Sequence, residues 1–315
     1  MIHPLKNYIR YFNYMRAVLW RHHKKSILQS LTATVLFGLG IYLINLYFYD
    51  IKFWDKFLFH QEVFTFFCEY TNPKLLIRQP INTFTNIVYL VNAVYFLNRG
   101  INDYVKKNAY NLITAHPFYS FTLSAISLYT FCGSTFYHSS LISAASTIDF
   151  SAVYSVSLFP LMYFTHRIFL YLLKLPTYTR HRKGLIILIS SFTIIYLLLT
   201  FVFSMKYIHQ LVLLFIILTM FFGFILEKTD KGKTNKWYLI LTVITITIAV
   251  VFFKFDMEKI LCNPDSWIQP HSIWHICNGS AVFYFYLYIR SEGYIGYHDK
   301  KVMALKDEHL NKKTY

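Results

Sequence analysis

Three short stretches of this sequence carry side chains able to bind a metal and move a proton. They are Phe131-Cys132-Gly133-Ser134-Thr135-Phe136-Tyr137-His138, Thr147-Ile148-Asp149 and Gln269-Pro270-His271-Ser272-Ile273-Trp274-His275. His271 and His275 stand four residues apart, so on a helix their rings share one face, as two ligands of one ion must. Pro270 suits the first turn of that helix. Ser134 and His138 are also four apart. Three imidazoles from two helices can fill three tetrahedral positions of a zinc ion and leave the fourth for water. Asp149 follows His138 by eleven residues, which brings a carboxylate near such a site. There it can take the proton of a water whose pKa the metal has lowered to about 7. Each feature also has a plainer reading. An i,i+4 histidine pair can pack or hydrogen-bond at a helix interface, and a serine commonly returns its hydrogen bond to its own helix. Asp149 could simply N-cap the helix that follows it.

The elements that must position these residues follow from composition. Of 315 residues 56% are hydrophobic and only 15% charged, with one in five aromatic, against roughly 25% charged in soluble domains. Mean hydropathy is +0.38. A soluble enzyme would expose too much apolar surface, and disorder is excluded by the abundance of apolar residues. A polytopic membrane protein remains. A helix rising 1.5 Å per residue needs about 20 apolar residues to cross the hydrocarbon. Eight stretches qualify, at 27–49, 82–98, 117–138, 149–171, 185–204, 208–226, 237–254 and 271–290. An open sheet cannot satisfy its backbone in lipid, so the fold class is all-α, a membrane helix bundle. The second stretch carries Asn82, Asn86 and Asn92 and is expected to face other helices; the fifth and sixth could form one long kinked hairpin.

The net charge of +16 raises the question of nucleic acid. The basic residues instead alternate along the chain, 23 in the segments on the N-terminal side of the membrane and 7 in those opposite, with Arg167 inside a span. Charge divided among short loops argues against a nucleic-acid partner. The positive-inside rule places both termini in the cytoplasm. The same topology puts all three polar stretches on the external or lumenal side. The leader, with Arg21-His22-His23-Lys24-Lys25, reads as a topology signal and the first span as an uncleaved anchor. His3, His22, His23, His166 and His181 fall toward the inner side, and His116 and His209 are expected at the surface.

The pattern Gly-Ser-x-Phe-Tyr-His, an Asp eleven residues on and a late Gln-Pro-His-x-x-Trp-His resembles the alkaline ceramidases. These belong to a superfamily of seven-span metal-dependent hydrolases that includes the progestin and adipoQ receptors. Phe67-Cys68-Glu69, the run from Ile77 through Gln79 and Asn82 to Asn86, Phe255-Asp256 and Cys262 extend the likeness over about residues 64–290. The resemblance implies a seven-span core at 50–290, an extra transmembrane helix at 27–49, a basic cytoplasmic leader at 1–26 and a polar cytoplasmic tail at 291–315. It implies zinc ligands His138, His271 and His275, Asp149 as the acid/base carboxylate and Ser134 beside the metal-bound water. It also joins Cys68 to Cys262, both in external loops where an oxidising compartment permits a disulfide. Cys132 and Cys277 lie inside spans and are expected to pack.

Ceramidases of this family hold calcium with acidic residues around the N-terminal motif. Here Glu69 remains, but Phe66, Tyr70 and Gln79 stand where further carboxylates would help, and calcium wants several hard oxygen ligands. The expected protein is an integral-membrane zinc-dependent lipid amidase. It would take a ceramide-like lipid from the bilayer and release a fatty acid and a long-chain amino alcohol. The alternatives are the same centre acting on another lipid ester or amide, such as a phospholipid, and a lipid receptor that keeps the metal cage without turnover. Asp149 and Ser134 together favour hydrolysis, because a purely structural zinc needs neither.

Overall fold

The computed structural model describes residues 3–48, 53–54, 67–107, 111–175, 182–203, 207–229 and 234–292, with the side chains of the first helix described continuously from Ser26 onward. The side chains of the basic leader, the tail from 293 on, Phe66 and His181 lie outside the described residues. The long apolar runs form helices, and no strand occurs among the described residues. In chain order these are α1 (His3–Tyr47), α2 (Pro80–Thr85), α3 (Ile87–Lys106), α4 (Leu112–Ala115), α5 (Phe118–Ser140) and α6 (Ser143–Leu172). They continue with α7 (Arg182–Leu198), whose end runs into a π-helical turn at Leu199–Phe203, then α8 (Ile208–Thr229), α9 (Lys236–Met257) and α10 (Pro270–Ser291).

Each predicted stretch is helical over its described residues apart from the break in the second, yet among the described residues only five helices are both long and apolar enough to cross a membrane: Ser26–Tyr47, Ser143–Leu172, Lys183–Val202, Ile208–Thr229 and Lys236–Met257. The protein is therefore a multi-pass membrane protein. The shortfall in α3, α5 and α10 has a physical reason. These helices bury Asn92, Ser120, Ser124, His138, His275, Asn278 and Arg290 against one another, so their polar groups meet protein partners and their average hydropathy falls. The helices with lipid-like surfaces, α1 and α7 to α9, stand around them with Leu, Ile and Phe exposed.

Two boundaries differ from expectation. The second stretch is broken at Asn86, where the N–H bonds back to Thr83 O and a new helix starts at Ile87. The fourth begins at Ser143 rather than Asp149, after a turn closed by Leu141 in the left-handed region.

The chain packs α1 on α3, α3 on α5, α5 on α6, α6 on α8 and α9 on α10, with α10 also reaching α2 and α3. Aromatic side chains from α3, α5, α6 and α10, among them Phe96, Tyr119, Tyr163 and Tyr286, fill the centre. At the end of the bundle where α3 and α10 finish, Arg290 holds Asp103 through two contacts of 2.5 and 3.1 Å. Arg167 holds Glu292 at 3.0 Å. Asn111 caps the short α4 and donates to the carbonyls of Arg290 and Glu292, which folds that segment under the bundle. As a result His116, expected at the surface, is 7% exposed and lies 5.6 Å from the His166 ring. His209 is exposed, as expected.

Consecutive helices α8 and α9 do not form a closely packed pair. A cavity of about 650 Å³ runs there, walled by α6, α8, α9 and α10. It reaches from Trp274 and Asn278 at one end to Glu227, Lys228 and Lys236 at the other.

The approach of α10 to α3 is close at Gly279, where Asn92 Nδ2 donates to Gly279 O at 2.8 Å. A Cβ at Gly279 would sit 2.5 Å from Val88 Cγ1. Gly279→Ala should therefore destabilise the bundle by about 1–3 kcal/mol through overpacking. Val88→Ala on the same background should restore much of the loss, read by thermal unfolding in detergent. Independent, additive effects of the two substitutions would contradict the contact.

Candidate metal centre

Local sequence explains how the three histidines are presented. Pro270 occupies the first turn of α10, and Ser272 closes that turn by accepting from Gln269 N and donating to Gln269 O. The Gln269 amide in turn gathers the preceding loop, donating to Asn263 O, Pro264 O and Ser266 O. His271 and His275 follow on one face, their ring centroids 4.6 Å apart. His138 comes from the last turns of α5, 4.8 Å from His271 and 5.0 Å from His275, ring to ring. The last carbonyls of that helix have no partner within it. They are met from outside, where Arg78 N donates to Ser139 O and Gln79 N to His138 O, both at 3.1 Å.

The three rings are buried and one nitrogen from each lies within 4.8 Å of the others. The remaining nitrogens are engaged. His138 Nδ1 lies 2.9 Å from Gln79 Oε1, His271 Nδ1 3.3 Å from the Asp256 carboxylate, and His275 Nδ1 3.1 Å from Asn82 O. The Gln79 and Asn82 oxygens can only accept, so Nδ1 of His138 and of His275 carries the proton and their Nε2 atoms keep a lone pair, while His271 Nδ1 meets Asp256 at ion-pair distance without a hydrogen bond. His138 Nε2 is buried without a hydrogen-bond partner among the described residues. Three buried imidazoles whose ligand atoms are within reach of one ion, two of them oriented by a hydrogen bond at the other nitrogen, form a donor set of the kind zinc takes. Phe67 covers the cluster, 4.3 Å from the His271 ring and 4.9 Å from that of His138.

The break at Asn86 now has a use. In a continuous helix Asn82 O would accept from the Asn86 backbone N–H. Released from that bond, it accepts from His275 Nδ1, Thr85 Oγ1 and Asn86 Nδ2. Glu69 supports the same short helix, its two oxygens accepting from Ile81 N at 2.7 Å and Asn82 N at 2.8 Å. Burial pushes its carboxyl up to about 7 despite those two N–H groups, with Asp256 adding to the rise. Both oxygens of Glu69, the residue considered above for calcium, are thus engaged in capping α2. Asp256 joins this network too, accepting from Cys68 N at 2.8 Å.

Asp149 lies two turns inside α6, which excludes the N-cap reading. It is buried, accepts a hydrogen bond from Ser134 and interacts electrostatically with His271. The Ser134 hydroxyl is thereby spent across a helix pair rather than on its own helix. Cys68 and Cys262 form a disulfide with Cα atoms 5.5 Å apart, tying the loop before α2 to the loop before α10. Cys132 is exposed on α5 instead of packed, and Cys277 is partly exposed; both are free. Sequence reasoning brought together His138, His271, His275, Asp149, Ser134 and the cysteine pair, but missed Gln79, Asn82 and Asp256 as the partners that orient the imidazoles. Gln79, read there as a lost carboxylate, is the residue that holds His138. The only signal was a run of polar side chains at Gln79, Asn82, Thr83 and Asn86 where a span should be apolar.

Gln79→Ala and Asp256→Asn should each weaken zinc binding by about 10–100-fold with all three ligands intact. His271→Ala/His275→Ala should abolish it, as measured by competition with a chromogenic chelator. Wild-type affinity in the double variant would remove the histidines as ligands. Peptide mapping without reductant should recover Cys68 linked to Cys262, and alkylatable thiols at both positions would contradict the bond.

No curated protein matches the chain. Residues 75–292 match the Per1-like family. The matched range holds the three histidines, Asp149, Ser134, Gln79, Asn82 and Asp256, so the whole centre lies inside it apart from the Cys68-Glu69 loop. Covering well over half of the sequence, this match makes the chain a member of the Per1-like family.

Proposed function

We propose that this protein is a membrane-embedded, zinc-dependent hydrolase of lipid acyl bonds, with the amide of a ceramide-like lipid as its substrate. The observation that carries the reading is the hydrogen-bonded pair Asp149 and Ser134 beside three buried histidines, since an ion with only a structural role needs no carboxylate beside it. When bound, zinc supplies Lewis-acid polarisation of the acyl carbonyl and acidifies a water. Asp149 takes the proton of the attacking water and passes it to the departing amine. Protonation makes Asp149 a weaker acceptor, so the Ser134 hydroxyl can turn to the developing oxyanion, the stronger acceptor. The cavity between α8 and α9 begins at Trp274 and Asn278, next to His275 on α10. Its volume falls in the range of small-ligand sites, and its apolar walls suit an acyl chain entering sideways from the bilayer.

In this reading α3, α5 and α10 also cross the membrane. Together with α6 to α9 they make a seven-span core of the alkaline ceramidase superfamily, and α1 is an added eighth span. Both termini are cytoplasmic and the centre faces the external or lumenal side, a reading supported by the distribution of Lys and Arg. A second reading, the same chemistry on an acyl ester, is favoured by Glu69 and Gln79. One caps α2 and the other holds His138, so the acidic calcium cradle of the ceramidases is absent in this part of the site.

The test is fatty-acid release from a panel of N-acyl and O-acyl lipids, with zinc content measured on the same samples. Asp149→Asn should keep its zinc and its fold and lose turnover by about 10²–10⁴-fold. Wild-type turnover in that variant would remove Asp149 from the mechanism. A wild-type protein that holds zinc and lipid but cleaves nothing in the panel would instead be a receptor.

A further inference from the structure

The segment that carries Gln79 is gripped from two sides. On one side Arg78 N and Gln79 N donate to the end of α5. On the other, Ile77 N donates to Asn45 Oδ1 at 2.9 Å, and Trp54 Nε1 donates to Leu76 O at 2.7 Å. Leu76 O and Ile77 N of this stretch thus bond to the N-terminal region, and the next two backbone N–H groups, of Arg78 and Gln79, to α5. Asn45 lies in the last turn of α1, and both it and Trp54 precede the matched range 75–292. The helix is seated well enough to act as a fixed point. Ser30 Oγ donates to Val91 O, Asn98 Nδ2 donates to Gln29 Oε1 at 2.9 Å, and Phe37 meets Phe131 edge to face at 4.6 Å. Trp54 also packs its ring 5.8 Å from Phe136, two residues before His138.

From this geometry we infer that α1 is a positioning element of the metal centre as well as a membrane span: Asn45 and Trp54 fix the backbone at Leu76 and Ile77 so that Gln79 Oε1 stays on His138 Nδ1. The inference rests on the reading of the three histidines as metal ligands. The side chain of Gln79 has three rotatable bonds, and it holds a ring in place only if its own backbone is held. Two donors onto α5 hold the stretch at Arg78 and Gln79 but leave the residues before them free to pivot. The bonds to Asn45 and Trp54 stop the pivot. An added helix in front of a seven-helix core would then set the orientation of one ligand without touching it.

The experiment uses the full chain in nanodiscs. Asn45→Leu keeps the side-chain volume and removes the acceptor; Trp54→Phe keeps the ring and removes the donor. Each should weaken zinc binding about 3- to 10-fold, less than the roughly 10–100-fold expected for Gln79→Ala itself. On the Gln79→Ala background, Asn45→Leu should change affinity by less than about 2-fold, because the two act through one contact. Gln29→Ala, which removes a seat of α1 far from the centre, should leave affinity unchanged. A second readout needs no metal: in metal-free protein, Asn45→Leu should speed amide exchange in peptides covering residues 76–80. Wild-type affinity in both Asn45→Leu and Trp54→Phe would overturn the inference, as would an undiminished effect of Asn45→Leu on the Gln79→Ala background. If the wild type binds no zinc, the metal reading fails separately, and unchanged exchange at 76–80 would overturn the tether itself.

Discussion

Three imidazoles buried in a membrane bundle must each place an N–H, and in this protein each Nδ1 meets an oxygen of a different element: hydrogen bonds run to Gln79 before α2 and to Asn82 within α2, and Asp256 at the end of α9 stands at ion-pair distance. That constraint organises much of the surrounding structure. A buried polar group without a partner is expensive where no water can reach it. The chain therefore breaks a helix at Asn86 to free a carbonyl, brings the loop at 77–79 onto α5, and binds the loops before α2 and α10 together through Cys68 and Cys262. One ligand atom of each ring is left within 4.8 Å of the other two.

The same economy explains the distribution of polarity across the bundle. Helices that line the interior can carry asparagine, serine, histidine and arginine because neighbouring helices satisfy them, while those at the periphery meet lipid and are almost purely apolar. The two ends of the bundle then differ in kind. One gathers imidazoles and carboxyl groups around the loops before α2 and α10. The other closes on two buried ion pairs, Asp103 with Arg290 and Arg167 with Glu292. Buried pairs of this sort add little net stability over an apolar filling, but removing one partner is severe. They fix the register of α10 against α3 and α6, and α10 carries two of the three histidines at its other end.

Between these ends runs the cavity that α8 and α9 leave by not packing on each other. Its walls are apolar along most of their length, and polar groups occur at the two extremities, Asn278 near the histidines and Glu227, Lys228 and Lys236 opposite. Glu227 is itself engaged by Tyr288 and Thr234, which anchors that floor to α10 and to the start of α9.

Much of this protein was legible from residue types and spacing. Apolar runs of sufficient length can only be helices in lipid, so the all-helical class followed directly. The four-residue spacing of His271 and His275 needs only helical geometry to place both on one face. The meeting of His138 with that pair, and of Asp149 with Ser134, was implied by a family resemblance and required the tertiary structure to become a distance. What the sequence did not reveal has a common cause. Whether Asp149 caps a helix depends on where α6 starts, and it starts at Ser143 because Leu141 turns the chain earlier than hydropathy suggested. Hydropathy counted α3, α5 and α10 by composition, whereas their fitness for the interior depends on which neighbours meet their polar groups. The partners of the imidazoles could not be read locally, because two of the three contacts use a backbone carbonyl or an amide side chain common to any polar run. His116 looked like a surface residue until Asn111 was found to fold its segment under the bundle. A hydrogen bond between residues 59 or 193 positions apart, as for His138 with Gln79 and His275 with Asn82, leaves no periodic trace in the chain. Only the packing of the helices brings such partners into reach.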